Sequence, residues 1–360
     1  MKKVLITSLG ALATAMAFGQ GFFPYDSIVL TRVGSTTAAS GDVVLEGFDF
    51  AGVSNGKNFN LSAAAIAQGI NYSGAGSATS ENQSTVSANY LSLAGYNAAS
   101  GTAGVATAAG IGRKVAVFSN TTLGSVSFVD VPTGAFTTNS FRSAYTADGV
   151  NFLTAGNGSS SSGGWRSFAA GDSSTTLLGT APNAQTNTRV IKQIGGKVYG
   201  SSGTTSPSAA GLYNITDNVS LIPGQASGRS IYDFEQYTEN GTNYWVIADD
   251  SASQVQIWKD VAGTLTNVKS FSLASVRSLA IRTWKDNGLE KTTIFGVGTG
   301  LSALTFDNGT LESTTSTFSS LITNPTGSFY RSVEVVPEPA SFAVIGLGLA
   351  GIAARRRRKS

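Results

Sequence analysis

The sequence predicts an all-β fold: a β-propeller of six four-stranded blades, with seven as the near alternative. Three observations lead there. Ser/Thr-rich, β-branched runs of four to eight residues alternate with Gly, Asn and Asp turns, the pattern of strands joined by hairpins. Outside the two ends of the chain, long helical periodicity is absent, and Leu61–Gln68 is the one weak helical candidate. Arg-led strands recur at Phe141-Arg142-Ser143-Ala144, Thr188-Arg189-Val190-Ile191, Gly228-Arg229-Ser230-Ile231, Val276-Arg277-Ser278-Leu279 and Tyr330-Arg331-Ser332-Val333, starting 47, 40, 48 and 54 residues apart. Four strands in each interval make a propeller blade. A β-helix or tandem sandwiches are the competing architectures.

The chain divides into residues 1–20, 21–335 and 336–360. Met1-Lys2-Lys3 is a basic start, Val4–Ala15 an apolar run, and Ala15-Met16-Ala17 an A-x-A site, the three parts of a signal peptide with an N-terminal signal helix. Cleavage before Gln20 or Gly21 fits as well.

The body is then read blade by blade. Ile28–Val33, Val43–Phe50 and Lys57–Leu61 are outer strands of a first blade, whose inner strand is supplied from the far end by Phe329–Val336. That arrangement closes the ring and leaves no exposed sheet edge. Ser84–Val86, Tyr90–Ala94, Lys114–Phe118 and Ser125–Val131 form a longer second blade. The next four blades each begin on an Arg-led strand. Their second strands are Val150–Leu153, Lys197–Tyr199, Tyr244–Ala248 and Thr293–Val297. Third strands follow at Gly164–Phe168, Gly211–Ile215, Gln254–Trp258 and Ser302–Phe306, and weaker fourth strands at Thr175–Leu178, Val219–Ile222, Leu265–Phe271 and Leu311–Phe318.

The last 25 residues have three parts. Val336-Pro337-Glu338-Pro339-Ala340 is a proline-flanked acidic motif, Ser341–Ala354 is apolar, and Arg355-Arg356-Arg357-Arg358-Lys359-Ser360 is basic. Ala340 to Ala354 is 15 residues, about 22 Å of helix, whereas a permanent span wants about 20 residues. This short hydrophobic helix therefore suits a temporary hold. Arg355, Arg356, Arg357, Arg358 and Lys359 stop transfer and stay cytoplasmic. Pro337, Glu338 and Pro339 then lie across the membrane, extended because proline cannot continue the helix. An uncut C-terminal anchor is the other reading.

These three parts resemble the PEP-CTERM sorting signal of Gram-negative bacteria. The resemblance implies export through the Sec translocon, an inner-membrane intermediate, and removal of the tail by an exosortase. Release at the cell surface or outside the cell follows. Residues 28–101 also resemble, loosely, exported propeller-like proteins of this kind, through Arg32-Val33-Gly34, Ala78-Thr79-Ser80-Glu81 and Leu91-Ser92-Leu93-Ala94-Gly95-Tyr96-Asn97-Ala98. Arg142-Ser143-Ala144 with Asp148-Gly149 continues it. It implies a fold and an address and carries no catalytic residues.

Within the tail, Gly346-Leu347-Gly348-Leu349-Ala350-Gly351 matches a dinucleotide fingerprint in letters only. A nucleotide site needs a following strand and an acid about 20 residues on, and only nine residues remain. Small residues in an apolar helix are close-packing positions.

Composition excludes several chemistries. The chain has 24 Lys and Arg against 21 Asp and Glu, but residues 21–335 keep 17 and 20, a net charge of about −3. The basic balance belongs to the sorting segments, so no nucleic-acid partner is expected. With no Cys there is no disulfide or lipid attachment, and with no His there is no Ser-His-Asp triad or His-based zinc site. No cofactor, metal or catalytic residue is assigned. The carboxylate pairs worth naming are Glu46 with Asp49, Glu235 with Glu239, and Asp249 with Asp250. Asp249-Asp250-Ser251 and Asp217-Asn218 are only fragments of a calcium loop.

One constellation suggests binding. If the Arg-led strands are innermost, Arg142, Arg189, Arg229, Arg277 and Arg331 converge on a central channel and suit a carboxylate or sulfate, as in an acidic exopolysaccharide. Alternatively each Arg packs within its own blade. The expected protein is thus a non-enzymatic extracellular propeller with a structural or glycan-binding role; a propeller enzyme acting on polysaccharide is the rival.

Overall fold

A computed structural model describes residues 21–34, 39–76, 82–120, 124–179, 185–203, 210–216, 219–225 and 229–336. Near the start lie β1 (Ile28–Val33), β2 (Ser40–Gly41), β3 (Val43–Phe48) and β4 (Ser54–Asn60), then α1 (Leu61–Ala67) and β5 (Gly74–Ala75). The second blade is β6 (Ser84–Val86), β7 (Tyr90–Tyr96), β8 (Arg113–Ser119) and β9 (Ser125–Asp130). The third is β10 (Phe141–Tyr145), β11 (Asn151–Gly156), β12 (Arg166–Ala169) and β13 (Thr176–Leu177). The fourth is β14 (Thr188–Ile194), β15 (Lys197–Ser202), β16 (Gly211–Asn214) and β17 (Ser220–Leu221). The fifth is β18 (Ile231–Glu239), β19 (Thr242–Asp249), β20 (Gln254–Val261) and β21 (Thr264–Ser272). The sixth is β22 (Ser278–Asp286), β23 (Leu289–Val297), β24 (Gly300–Asp307) and β25 (Ser319–Thr323), after which β26 (Phe329–Val335) ends the body.

Six antiparallel sheets of four strands result, and the first is ordered β26-β1-β3-β4. The ring closes as the sequence predicts: β26 pairs with β1 from Ile28↔Val335 to Val33↔Phe329. This consumes the two edges that an open ring would leave to other chains. Local chemistry sets the hairpins. Asn240-Gly241 and Asn287-Gly288 join inner to second strands, with φ of 49° and 76° and of 50° and 85°. Two consecutive positive φ angles match the twist of antiparallel strands, and Asn-Gly supplies them at little steric cost.

Packing lies between blades rather than inside one core. Ile28, Leu30, Ala280, Phe295, Val297 and Val333 join the first and sixth blades. Val246, Val255 and Ile257 of the fifth meet Leu279, Ile294 and Leu304 of the sixth. Each buried Leu, Ile or Phe contributes roughly 1.5–3 kcal/mol, so the blades hold one another in place.

Two sequence expectations change. The weak helical candidate is a real helix, α1, whose N-cap Asn60 accepts from the Ala63 N–H. The fourth strand of the last blade is Ser319–Thr323, not Leu311–Phe318. Gly309 at φ 86° breaks the strand line, and the Thr314 N–H donates to the Thr310 carbonyl at 2.8 Å. The resulting turn buries Leu311. Residues 1–20 and 337–360, with the expected signal helix and short hydrophobic helix, lie outside the described residues. Among those described, no helix is long and apolar enough to cross a membrane.

Candidate functional site on the propeller axis

The inner strands β26, β6, β10, β14, β18 and β22 surround the axis, and side-chain oxygens stitch them together. Ser143 Oγ accepts the Ile191 N–H at 3.2 Å, Ser278 Oγ that of Val333 at 3.2 Å, and Ser332 Oγ that of Ser84 at 3.1 Å. In the fifth blade Asp233 takes this role, accepting from the Leu279 N–H at 2.8 Å and from Ser278 Oγ at 3.2 Å. Each of those serines directly follows an Arg of the ladder. The residue preceding Asp233 is Tyr232, so Tyr232 occupies the ladder position of the fifth blade. A β-bulge between Ile231 and Phe234 shifts the register there.

The five arginines have these partners. Arg142 donates to the Asn187 side chain and to the Thr188 carbonyl at 3.0 Å. Arg189 donates to Ser230 Oγ at 3.1 Å, and its guanidinium lies 3.7 Å over the Tyr232 ring. Arg277 approaches the same ring at 4.7 Å and Asp250 at 3.5 Å. Arg331 donates to the Ala75 carbonyl at 3.1 Å and to that of Gly76. These four therefore reach across to a neighbouring blade or to the segment entering it. Arg229 instead pairs with buried Asp249 of its own blade at 2.8 Å. Burial lowers the Arg189 pKa; Tyr232 and Asp250 counter this, while Arg277 adds to it.

Three residues beyond Arg189, Tyr232 and Arg331, about 10 Å along an extended strand, stand Lys192, Glu235 and Glu334. Lys192 Nζ is 2.9 Å from Asp233 and 2.7 Å from Glu235. Glu334 accepts from Ser84 Oγ at 3.0 Å. Burial pushes the Glu334 pKa well above the usual carboxylate range; Lys192 and Ser84 oppose the rise, and Glu235 and Asp233 reinforce it. Burial and Asp233 also raise Glu235 against the pull of Lys192. For Lys192 itself burial opposes the charge, but Asp233, Glu235 and Glu334 outweigh it and hold the pKa above its ordinary value. A side chain also bridges the ring: Gln83 of the second blade donates to the Arg277 carbonyl of the sixth at 2.6 Å.

Sequence reasoning did not assemble this layer. Only Glu235 was named, beside Glu239, which turns away to accept from the Gly309 N–H. A signal existed, because Lys192 and Glu334 each stand three residues after a ladder arginine. The other named carboxylates hold local structure. Glu46 pairs with Arg32 at 2.6 Å and accepts from the Tyr330 hydroxyl at 3.0 Å, and Asp49 accepts from the Ala51 and Val53 N–H groups. Asp217 and Asn218 lie outside the described residues. Among the described residues no group of three or more His, Cys, Asp or Glu is placed to hold a metal ion.

The body's two ends meet at the first blade. Buried Val336 donates its N–H to the Ser27 carbonyl at 2.9 Å. Pro337, Glu338, Pro339, Arg355, Arg356, Arg357, Arg358 and Lys359 follow outside the described residues. The family model of the PEP-CTERM protein-sorting motif matches residues 335–358, so the chain carries this motif, and the motif implies exosortase-dependent sorting of an exported protein. No curated protein sequence matches the chain. Among solved structures it is similar to a Bacteroides fragilis protein provisionally described as a 6-phosphogluconolactonase (14% identity, 82% of each chain covered, TM-score 0.46). It is also similar to the periplasmic gluconolactonase of Pseudomonas aeruginosa (11% identity, 81% of this chain and 82% of that one, TM-score 0.41). A further similarity is to an arginine-to-alanine triple mutant of AofleA from Arthrobotrys oligospora (12% identity, 86% and 90%, TM-score 0.45).

Proposed function

We propose that this is a non-enzymatic propeller, passed through the Sec translocon, released from an inner-membrane intermediate by the exosortase, and displayed at the cell surface or in the exopolysaccharide matrix. There it binds an anionic group, the carboxylate or sulfate of a polysaccharide, at the arginine-bearing end of its axis. One observation carries the binding role: Arg189 and Arg277 come from different blades and flank one ring, Tyr232, at 3.7 and 4.7 Å. Two guanidiniums held on a common platform give a preorganised fork for an oxyanion. Arg142 and Arg331 stand at the same ladder position in their blades. Arg229, tied to Asp249, supports the fifth blade.

A glycan array with wild-type protein and the Arg189→Ala/Arg277→Ala variant tests the binding. Signal on uronate or sulfate glycans that the variant loses supports it; equal signal from a folded variant overturns it. Mass spectrometry of the exported protein tests the sorting, with a C-terminus near Pro337 expected and an intact Ser360 contradicting cleavage. A glycan-cleaving enzyme is the second reading, favoured by the convergence of Asp233, Glu235 and Glu334. Commitment of Asp233 and Glu235 to Lys192, and of Asp233 and Glu334 to inter-blade hydrogen bonds, supports a holding role for them instead.

A further inference from the structure

The face of the sixth blade that packs on the first changes from apolar to polar along the strand direction. The row Ala280↔Phe295↔Ala303 is part of the core between the two blades. The next row is Arg282↔Thr293↔Thr305, followed by Trp284↔Lys291↔Asp307. Arg282, Thr293, Thr305 and Trp284 of these two rows line an open groove of about 600 Å³ together with Phe50 and Ala51 of the first blade.

The polar groups here are set in advance. Trp284 Nε1–H donates to Thr293 Oγ1 at 3.1 Å, and that oxygen lies 2.9 Å from Thr305 Oγ1. The indole is therefore fixed while its ring remains only half-buried. The Arg282 guanidinium lies 3.8 Å over Phe50 and 5.2 Å from the Trp284 ring. Its nearest carboxylate, on exposed Asp26, is 3.7 Å away, a weak surface pair worth roughly 0–1 kcal/mol. A ligand's anionic group could replace it. Thr305 and Ser319 are exposed hydroxyls beside the rings.

We infer that this groove is a second carbohydrate site, taking an acidic hexopyranose chain of the uronate class. The apolar C–H face of a pyranose ring fits the flat indole, an amphipathic surface of the kind used at wet interfaces. Ring hydroxyls meet Thr305 and Ser319, and the carboxylate meets Arg282, whose planar fork matches it. The groove, open to solvent and about 600 Å³ in volume, leaves room for more than one sugar ring. None of these residues belongs to the axial layers, so the site stands or falls separately from them.

Isothermal titration with polygalacturonate and with neutral dextran, each against wild type, Trp284→Ala, Arg282→Gln and Arg189→Ala/Arg277→Ala, tests it. A groove site predicts wild-type binding to polygalacturonate that Trp284→Ala weakens on the order of tenfold or more, as for a buried aromatic anchor. Arg282→Gln should weaken it as well, while the axial double variant retains the groove component. Dextran should bind wild type far more weakly. Unchanged polygalacturonate affinity in folded Trp284→Ala and Arg282→Gln overturns the site, as does absence of wild-type binding. Should Trp284→Ala not fold, Trp284→Phe with Arg282→Gln decides by the same readout. Loss in the axial variant alone places all binding on the axis and also overturns the groove.

Discussion

The two layers of the axis share strands β14, β18 and β26, and they behave differently. The outer layer, Arg142, Arg189, Arg277 and Arg331 with Tyr232, places cations against carbonyls and an aromatic face. The inner layer, Lys192, Asp233, Glu235 and Glu334, places one cation among three carboxylates, all buried except Glu235, which is partly exposed. Guanidiniums tolerate a buried or half-buried setting because they are weakly hydrated and donate in several directions. Carboxylates there need a cation or lose their charge. In the proposed function the outer layer receives an anion, while the inner layer locks the blades.

Substitutions that separate the layers should differ in size. Lys192→Met is expected to be the most damaging, by about 3–5 kcal/mol, since it strands Asp233 and Glu235 without their cation; urea unfolding measures it. Arg229→Ala removes the partner of wholly buried Asp249, which still accepts from Ser251 and Ala252. A loss of about 1–3 kcal/mol is expected, with glycan binding unchanged. Reduced binding there would return Arg229 to the ligand-facing set. Arg189→Ala and Arg277→Ala should each cost less stability than Lys192→Met and lose binding instead.

The smallest effect is on pH dependence. Glu334 has a folded pKa above its unfolded one, so it favours the fold fully at acid pH, and that contribution is lost as pH rises through the folded value. Glu334→Gln should remove this loss. Its melting temperature should exceed that of wild type at pH 8 and converge with it near pH 4. A variant less stable at both pH values would contradict a neutral Glu334.

Much of the fold was legible in the sequence because blade spacing and hairpin chemistry are local. The Arg-led strands located four blades, and the last of them closed the ring onto Ile28–Val33. The axial site was legible only in part. Gly228-Arg229-Ser230 copies the Arg-Ser signature of the other blades, but Asp233, by accepting from the next blade, sets the register three residues later. That choice depends on Leu279, 46 residues away. The inner layer gathers residues from blades distant in sequence, whereas the carboxylate pairs read from the chain were neighbours along it. Leu311–Phe318 was misplaced because Thr-rich segments suit turns as well as strands.

The most direct measurement is calorimetric titration of a sulfated or uronate oligosaccharide into wild type, Arg189→Ala/Arg277→Ala and Arg229→Ala, with folding confirmed by circular dichroism. Loss of the axial binding component in the double variant and its retention in Arg229→Ala is the predicted result. Equal binding by all three proteins would contradict an anion site at the axis.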